Sequence, residues 1–333
     1  MEAMLDELRG RGLILHHWDA DGICSARLLL ERVRSADNRT PRIGRYHLSE
    51  GELDEFSGYD FVIVADIALP EGDVLRLAEG ADVAIFDHHL GPRIEGVAHH
   101  NPVIGGASPE EYPSASWVVN EHLGNEINLH ALLGAVGDRE ERIRDNQALW
   151  PIISDYCRGN GLEFGDLLRM AHLLDSSYKM GDREAVEEAP RLLLRRGGPG
   201  DILGNPEWNG NLRVLDGEIR RQLDTPSEEV QGVVVKRMET GYNIISTVTR
   251  RLAWEGGVDV VVVNTGLFEE ADQVYARSGR RDLGPLIERG RALGFRAGGK
   301  RDVLGAVVPK NETEVFLKEI INFLGINNRK SSN

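Results

Sequence analysis

Ile14-Leu15-His16-His17-Trp18-Asp19-Ala20-Asp21-Gly22 opens as an apolar run and closes on a histidine and two alternating carboxylates, and helix-like spacing begins at Ile23. Farther on, Val83-Ala84-Ile85-Phe86 delivers Asp87-His88-His89. Oxygen and imidazole donors without thiolates suit Mn²⁺ or Mg²⁺ better than structural zinc, and several carboxylates brought to one point repel unless cations lie between them. The pattern predicts a metal cradle. A strand alternates its faces, so His17, Asp19 and Asp21 are expected to project together, with His16 on the opposite side.

The surrounding sequence predicts an α/β protein. Gly12–His17, Arg42–His47, Phe61–Asp66 and Val83–Asp87 read as strands, and Ile23–Val33, Asp73–Glu79 and Ala115–Leu123 have helical spacing. Strands alternating with helices make a parallel sheet, whose C-terminal edge is where open α/β sheets build ligand crevices. Asp19, Asp21, Asp66 and Asp87 all fall at or just past such strand ends. Residues 140–225 read as largely helical, with a break at Gly197-Gly198-Pro199-Gly200 and a turn-rich patch over 204–211. A second α/β unit follows from about Val230, with apolar runs Val233–Val235, Val258–Val263 and Val303–Val308 and helices near Leu283–Leu293 and Glu312–Leu324.

The chain of 333 residues is long enough for two domains. It contains no apolar run able to span a bilayer and no signal-peptide pattern, so a cytoplasmic protein without membrane association is expected. Cys24 and Cys157 show no metal spacing and read as ordinary buried thiols. The formal net charge of −15 is unevenly spread: residues 1–150 hold 27 acidic and 13 basic side chains. Within Arg277 to Arg301 the balance reverses, with Arg277, Arg280, Arg281, Arg289, Arg291, Arg296, Lys300 and Arg301 against Asp282 and Glu288. A basic stretch complementing an acidic, metal-loaded half suits a grip on nucleic acid, and a solvated arginine-rich face is the alternative.

Four motifs stand in order: His17-Trp18-Asp19-Ala20-Asp21-Gly22, then Asp66 after Phe61-Val62-Ile63-Val64-Ala65, then Asp87-His88-His89, then Asp138 in Gly134-Ala135-Val136-Gly137-Asp138. Together they resemble the DHH phosphoesterase superfamily, most closely the RecJ-like nucleases of compact archaeal type. The resemblance covers nearly all of the chain. It implies a DHH catalytic domain over 1–185, a helical connector over 186–229 and a smaller DHHA1-like α/β domain over 230–333 that holds the strand. It further implies two Mn²⁺ ions, or Mg²⁺ in their place, bound by His17, Asp19, Asp21, Asp66, Asp87, His88 and Asp138, with Asp66 as the bridge. Asp87 and His89 are the expected catalytic pair, His89 donating to a phosphate oxygen or supporting a metal ligand. Gly22 lets the backbone turn near the ions.

Gly298-Gly299-Lys300-Arg301, followed by Val303-Leu304-Gly305-Ala306, resembles the glycine-rich nucleotide-holding motif of the associated C-terminal domain. The fuller family pattern has a third glycine and a histidine where Lys300 and Arg301 stand here. A tight Gly-Gly turn is the alternative. Arg277 and Ser278, with Arg280 and Arg281, are candidates for further phosphate contacts. His99 and His100, before Asn101-Pro102, line the site entrance or end a strand, and His47, His122, His130 and His172 read as structural.

No Ser-His-Asp spacing, nucleophile elbow or P-loop occurs, which leaves water as the nucleophile. The expected activity is Mn²⁺-dependent hydrolysis of single-stranded DNA or RNA by a RecJ-like exonuclease in DNA repair or replication, with replication or repair proteins such as a helicase as partners. A small-substrate phosphodiesterase cleaving short oligonucleotides or cyclic dinucleotides is the first alternative. A non-catalytic replication or repair scaffold is the second.

Overall fold

The computed structural model describes Leu5 and residues 8–325. They form two compact units. One runs up to Tyr178 and continues over Asp182–Leu212; the other takes Lys179–Gly181 and the chain from Arg213 onward.

In the first unit, β1 (Gly12–His16), β2 (Asp37–Arg39), β3 (Phe61–Ala65), β4 (Asp82–Phe86) and β5 (Ala98–His100) make a sheet of order β2-β1-β3-β4-β5 in which every pairing is parallel. The central strands are apolar along both faces because both are covered. Leu13, Leu15, Val62 and Val64 enter one core, and Ile14, Ile63, Ala65 and Phe86 enter another. Helices α1 (Ala20–Arg32), α2 (Glu50–Phe56), α3 (Glu71–Ala78), α4 (Ala115–His122) and α5 (Leu129–Arg139) surround the sheet, and α6 (Trp150–Asn160), α7 (Phe164–Met180), α8 (Arg183–Arg195), α9 (Pro199–Leu203) and α10 (Pro206–Asp224) follow. Leu28, Leu29 and Leu30 of α1 are fully buried, so this helix is core on nearly every side.

Two local expectations fail. Residues 42–47 form no strand: Gly44 takes φ 81° and Arg45 N–H donates to Arg42 O, closing a turn after Pro41, while the edge position goes to β2. Likewise 206–211 is helical, because Asn205 caps the start of α10 by accepting from the N–H groups of Glu207 and Trp208. The expected break near Gly197 is present between α8 and α9.

The second unit has a six-stranded mixed sheet. Its strands are β6 (Glu228–Val230), β7 (Val233–Met238), β8 (Asp259–Asn264), β9 (Ala271–Arg277), β10 (Arg296–Lys300) and β11 (Val303–Pro309), ordered β10-β11-β9-β8-β7-β6. Only β7 and β8 pair in parallel. Helices α11 (Ile245–Gly256), α12 (Gly284–Ala292) and α13 (Thr313–Gly325) complete it. Among the described residues no helix is long and apolar enough to cross a membrane.

Candidate metal centre

Three neighbouring strands end at the same level, and the hydrogen-bond ladder carries the next residue of each into register. His17 N–H donates to Ala65 O, Asp66 N–H to Phe86 O and Asp87 N–H to His100 O, at 3.1, 2.9 and 3.2 Å. His17, Asp66 and Asp87 are thereby set side by side at the C-terminal edge of the sheet. Asp66 has φ 60°, the left-handed region that aspartate tolerates better than most residues. That turn ends β3 and leaves its carboxylate 2% exposed.

Asp19 and Asp21 reach the site from the helix start, which corrects the strand-alternation argument. Asp19 caps α1, accepting from Gly22 N–H at 3.1 Å, while its Oδ2 lies 2.8 Å from His17 Nδ1. Asp21, in the first turn and 1% exposed, accepts from the Ala115 and Ser116 N–H groups at 2.7 and 2.9 Å. The start of α4 therefore holds this carboxylate with two unsatisfied helix amides, an arrangement the helix dipole favours. The geometry depends on two glycines. A Cβ on Gly22 would lie 2.2 Å from His17 O, and one on Gly134 would lie 2.1 Å from Ser116 Oγ and 2.2 Å from Asp21 Oδ1.

His88 Nε2 sits 3.4 Å from Asp138 Oδ2, 3.6 Å from Asp66 Oδ1 and 3.9 Å from Asp21 Oδ2. Three groups result in which the donor atoms lie within 4.8 Å of one another: His17, Asp19 and Asp66; Asp21, His88 and Asp138; Asp66, His88 and His89. Asp66 is common to two of them. Asp87 enters none, and its Oδ1 instead accepts from His88 N–H at 2.8 Å and lies 2.7 Å from His89 Nδ1. Asp87 thus fixes the loop that carries both histidines.

Charge crowding shifts these groups. Burial, reinforced by Asp21, Asp19, Asp138 and Asp87, raises the Asp66 carboxyl well above its ordinary value. Burial, Asp138 and Asp19 push Asp21 up to about 6. Burial works the same way on Asp19 and Asp87, but the adjoining His17 and His89 respectively outweigh it and hold both below the usual carboxylate range. His16, buried on the other side of the strand end, is depressed to about 4 by burial. Asp66 Oδ2 and His17 Nε2 are buried without a hydrogen-bond partner among the described residues. Orphaned acceptors beside like charges are costly in a protein interior, and a bound divalent cation relieves both defects. The donor set fits Mn²⁺ or Mg²⁺.

Several supports had no signal in the sequence. Asp175 of α7 accepts from Ala20 N–H at 2.9 Å, fixing the turn between Asp19 and Asp21 across 155 residues. Asn101 donates to His89 O at 2.9 Å, and Ser116 and Gly134 shape the Asp21 pocket. His99 and His100 lie on β5, where His99 Nδ1 accepts from Ile94 N–H and the His100 ring stands against Phe86 and His122.

The basic stretch belongs to the second unit. Ser278 is buried, donates to Asp259 Oδ1 at 2.7 Å and accepts from the Arg280 and Arg281 N–H groups, so its hydroxyl organises the loop. Arg280 is exposed and reaches Asp259 Oδ2 at 3.3 Å; Arg277 and Arg281 lie over the Trp254 and Phe323 rings. Gly298 and Gly299 make no turn: both lie within β10, paired with Gly305 and Leu304. At Gly299, φ is 151° and a Cβ would meet Val303 O at 2.0 Å, so the close approach of two strands requires glycine. Lys300 and Arg301, which follow it, are exposed.

Residues 12–138 match the family model described as the DHH family, N-terminal domain. The fold of the chain is RecJ-like. RecJ of Thermus thermophilus, crystallised with Mn²⁺, superposes with a TM-score of 0.70 at 18% identity, covering 98% of this chain and 54% of that one. The chain therefore spans about half the length of that relative. An exonuclease RecJ bound to manganese gives a TM-score of 0.66 at 18% identity, covering 99% of this chain and 96% of the other. A pGpG-specific phosphodiesterase from Vibrio cholerae gives 0.53 at 14%, covering 96% and 100%. No curated protein matches the chain by sequence. The clustered donors suit a divalent-metal site.

Proposed function

We propose that this protein hydrolyses phosphodiester bonds in single-stranded nucleic acid with two divalent cations, Mn²⁺ in preference to Mg²⁺, as an exonuclease of DNA repair or replication. The observation that carries the reading is the place of Asp66, which is grouped with His17 and Asp19 on one side and lies 3.6 Å from Nε2 of His88 on the other, His88 itself being grouped with Asp21 and Asp138. His17, Asp19, Asp21, Asp66, His88 and Asp138 would hold the ions, with Asp87 at their margin. When bound, such a pair of cations acidifies water and neutralises charge building on the phosphoryl oxygens.

The protein's own groups do the rest. Asp66 is kept in place by its left-handed turn, and Asp21 by two amides, so both stay fixed as charge redistributes. His89, held at Nδ1 by Asp87, is the proposed donor to a phosphate oxygen or to the departing alkoxide. Arg277, Arg280, Arg281, Lys300 and Arg301, on the Ser278 loop and at the Gly298-Gly299 strand, are the proposed phosphate contacts of a DHHA1-like second domain. Residues 1–185, 186–229 and 230–333 are proposed as catalytic domain, connector and substrate domain.

End-labelled single strands of DNA and RNA, incubated with Mn²⁺ or with chelator, test the reading: stepwise shortening only with metal supports it, and equal turnover in chelator refutes it. The Vibrio neighbour is named for a dinucleotide substrate. A short-substrate enzyme would prefer dimers to pentamers over long strands in the same assay. The retained donor set argues against a scaffold without catalysis, and so does its burial, since a buried carboxylate cluster is expensive to keep without ions.

A further inference from the structure

Tyr46 is a large aromatic side chain left 57% exposed, and it stands against the metal centre. Its ring centroid lies 5.8 Å from that of His17 with 26° between the planes, and 5.1 Å from that of the buried Trp18. The turn that carries it is pinned at several points. Arg42 N–H donates to Glu52 Oε1 at 3.2 Å, Arg45 N–H to Arg42 O at 2.9 Å, and Leu48 N–H to Asp73 Oδ2 at 2.8 Å. The next helix, α2, begins with a reciprocal capping box between Ser49 and Glu52. Tyr46 is therefore a held aromatic ring with one side against a metal-ligating histidine and more than half of its surface open. A tyrosine serving only as packing would gain by turning that surface inward.

We propose that Tyr46 is a stacking platform for the nucleobase next to the scissile phosphate, an inference that rests on the nucleic-acid phosphodiesterase reading above. Every base offers a flat π face, so the platform accepts all four with little sequence preference, and it selects nucleic acid over phosphodiesters that lack bases. The base is held while the adjoining phosphate lies at the cluster of His17, Asp19 and Asp66. Remote binding of this kind orients the bond to be cleaved.

The test compares oligothymidylate with an equal-length strand carrying an abasic sugar at the cleaved end, in Mn²⁺, for the wild-type protein and for Tyr46→Ala, Tyr46→Phe and Tyr46→Trp. The wild type is expected to favour the base-bearing strand by roughly 5- to 100-fold in kcat/KM, the range of single base–aromatic stacks. Tyr46→Ala should lose that advantage, mostly through KM, and be no worse than wild type on the abasic strand. Tyr46→Phe and Tyr46→Trp, which keep a flat ring, should restore it. Equal losses on both strands, or none on either, would overturn the platform. A binding readout separates this from the wider reading: a strand with 2-aminopurine at its end should be quenched on binding by the wild type and not by Tyr46→Ala. If quenching depends on Tyr46 but no strand is cleaved, the phosphodiesterase reading falls and the platform stands; if quenching ignores Tyr46, the platform falls whatever the enzyme cleaves.

Discussion

Gly134→Ala adds one carbon at a tightly packed point of the candidate metal centre. In the interior of α5 the exchange would ordinarily stabilise by about 1 kcal/mol, the helix propensity difference between the residues. Here the new Cβ would fall 2.1 Å from Ser116 Oγ and 2.2 Å from Asp21 Oδ1. Neither atom has room to yield: Ser116 Oγ donates to Ala131 O at 3.2 Å, and Asp21 is gripped by two N–H groups of α4. Overpacking typically costs about 1–3 kcal/mol, and weakening either charge-assisted bond to Asp21 costs about 1.5–3 kcal/mol more. The net expectation is a loss of roughly 1.5–5 kcal/mol, lowering Tm by about 3–20 °C. Because the displaced atom belongs to a proposed metal ligand, Mn²⁺ affinity should fall at least about tenfold, equivalent to about 1.4 kcal/mol. Differential scanning calorimetry and Mn²⁺ titration read the two effects. Gly210→Ala is the control, since a Cβ there meets nothing within 4 Å, and it should raise Tm. A Gly134→Ala protein as stable as that control and binding Mn²⁺ normally would refute the account of how Asp21 is placed.

Asp66→Ala should be the most damaging single exchange, abolishing Mn²⁺-dependent turnover and the rise in Tm that metal produces in the wild type, as calorimetry with and without Mn²⁺ will show. In the metal-free protein Asp21 carries a raised pKa, about 6 against 3.8, so the folded state holds a proton there that the unfolded chain has released. Its contribution to stability is present below about pH 4 and fades as pH rises through 6, by an amount on the order of 3 kcal/mol. Urea unfolding from pH 4 to 7 should show Asp21→Asn gaining on the wild type across that window; parallel curves would contradict it. Alanine at both Arg280 and Arg281 should flatten the salt dependence of single-strand affinity, and an unchanged slope favours a merely solvated face. Replacing Lys300 and Arg301 together should slow oligonucleotide hydrolysis by about tenfold or more while sparing bis-(p-nitrophenyl) phosphate; equal losses on both would mean that these residues support the fold.

The parts of the site written as one residue after an apolar run were legible in the sequence. His17, Asp66 and Asp87 follow β1, β3 and β4 directly, so strand register alone aligns them. Asp19 and Asp21 were legible as donors but for the wrong reason, since helix capping, not strand alternation, aims them. Asp175, Ser116 and Gly134 act across long sequence separations and carry no local pattern, so only the folded chain shows that they shape the candidate site. The 42–47 segment misled because its hydrophobic spacing competes with Pro41 and a left-handed Gly44, and the turn won. At Gly298-Gly299 it is the alternative of a tight turn that fails: the pair lies within β10 and permits two antiparallel strands to approach closely.

Mn²⁺ titration of metal-free protein by isothermal calorimetry, with single-strand hydrolysis followed in the same samples, tests the central claim most directly. Two ions per chain, with cleavage appearing as they bind and both lost in Asp66→Ala, is the predicted result. Cleavage that persists in excess chelator, or a wild-type chain that binds no Mn²⁺, would contradict it.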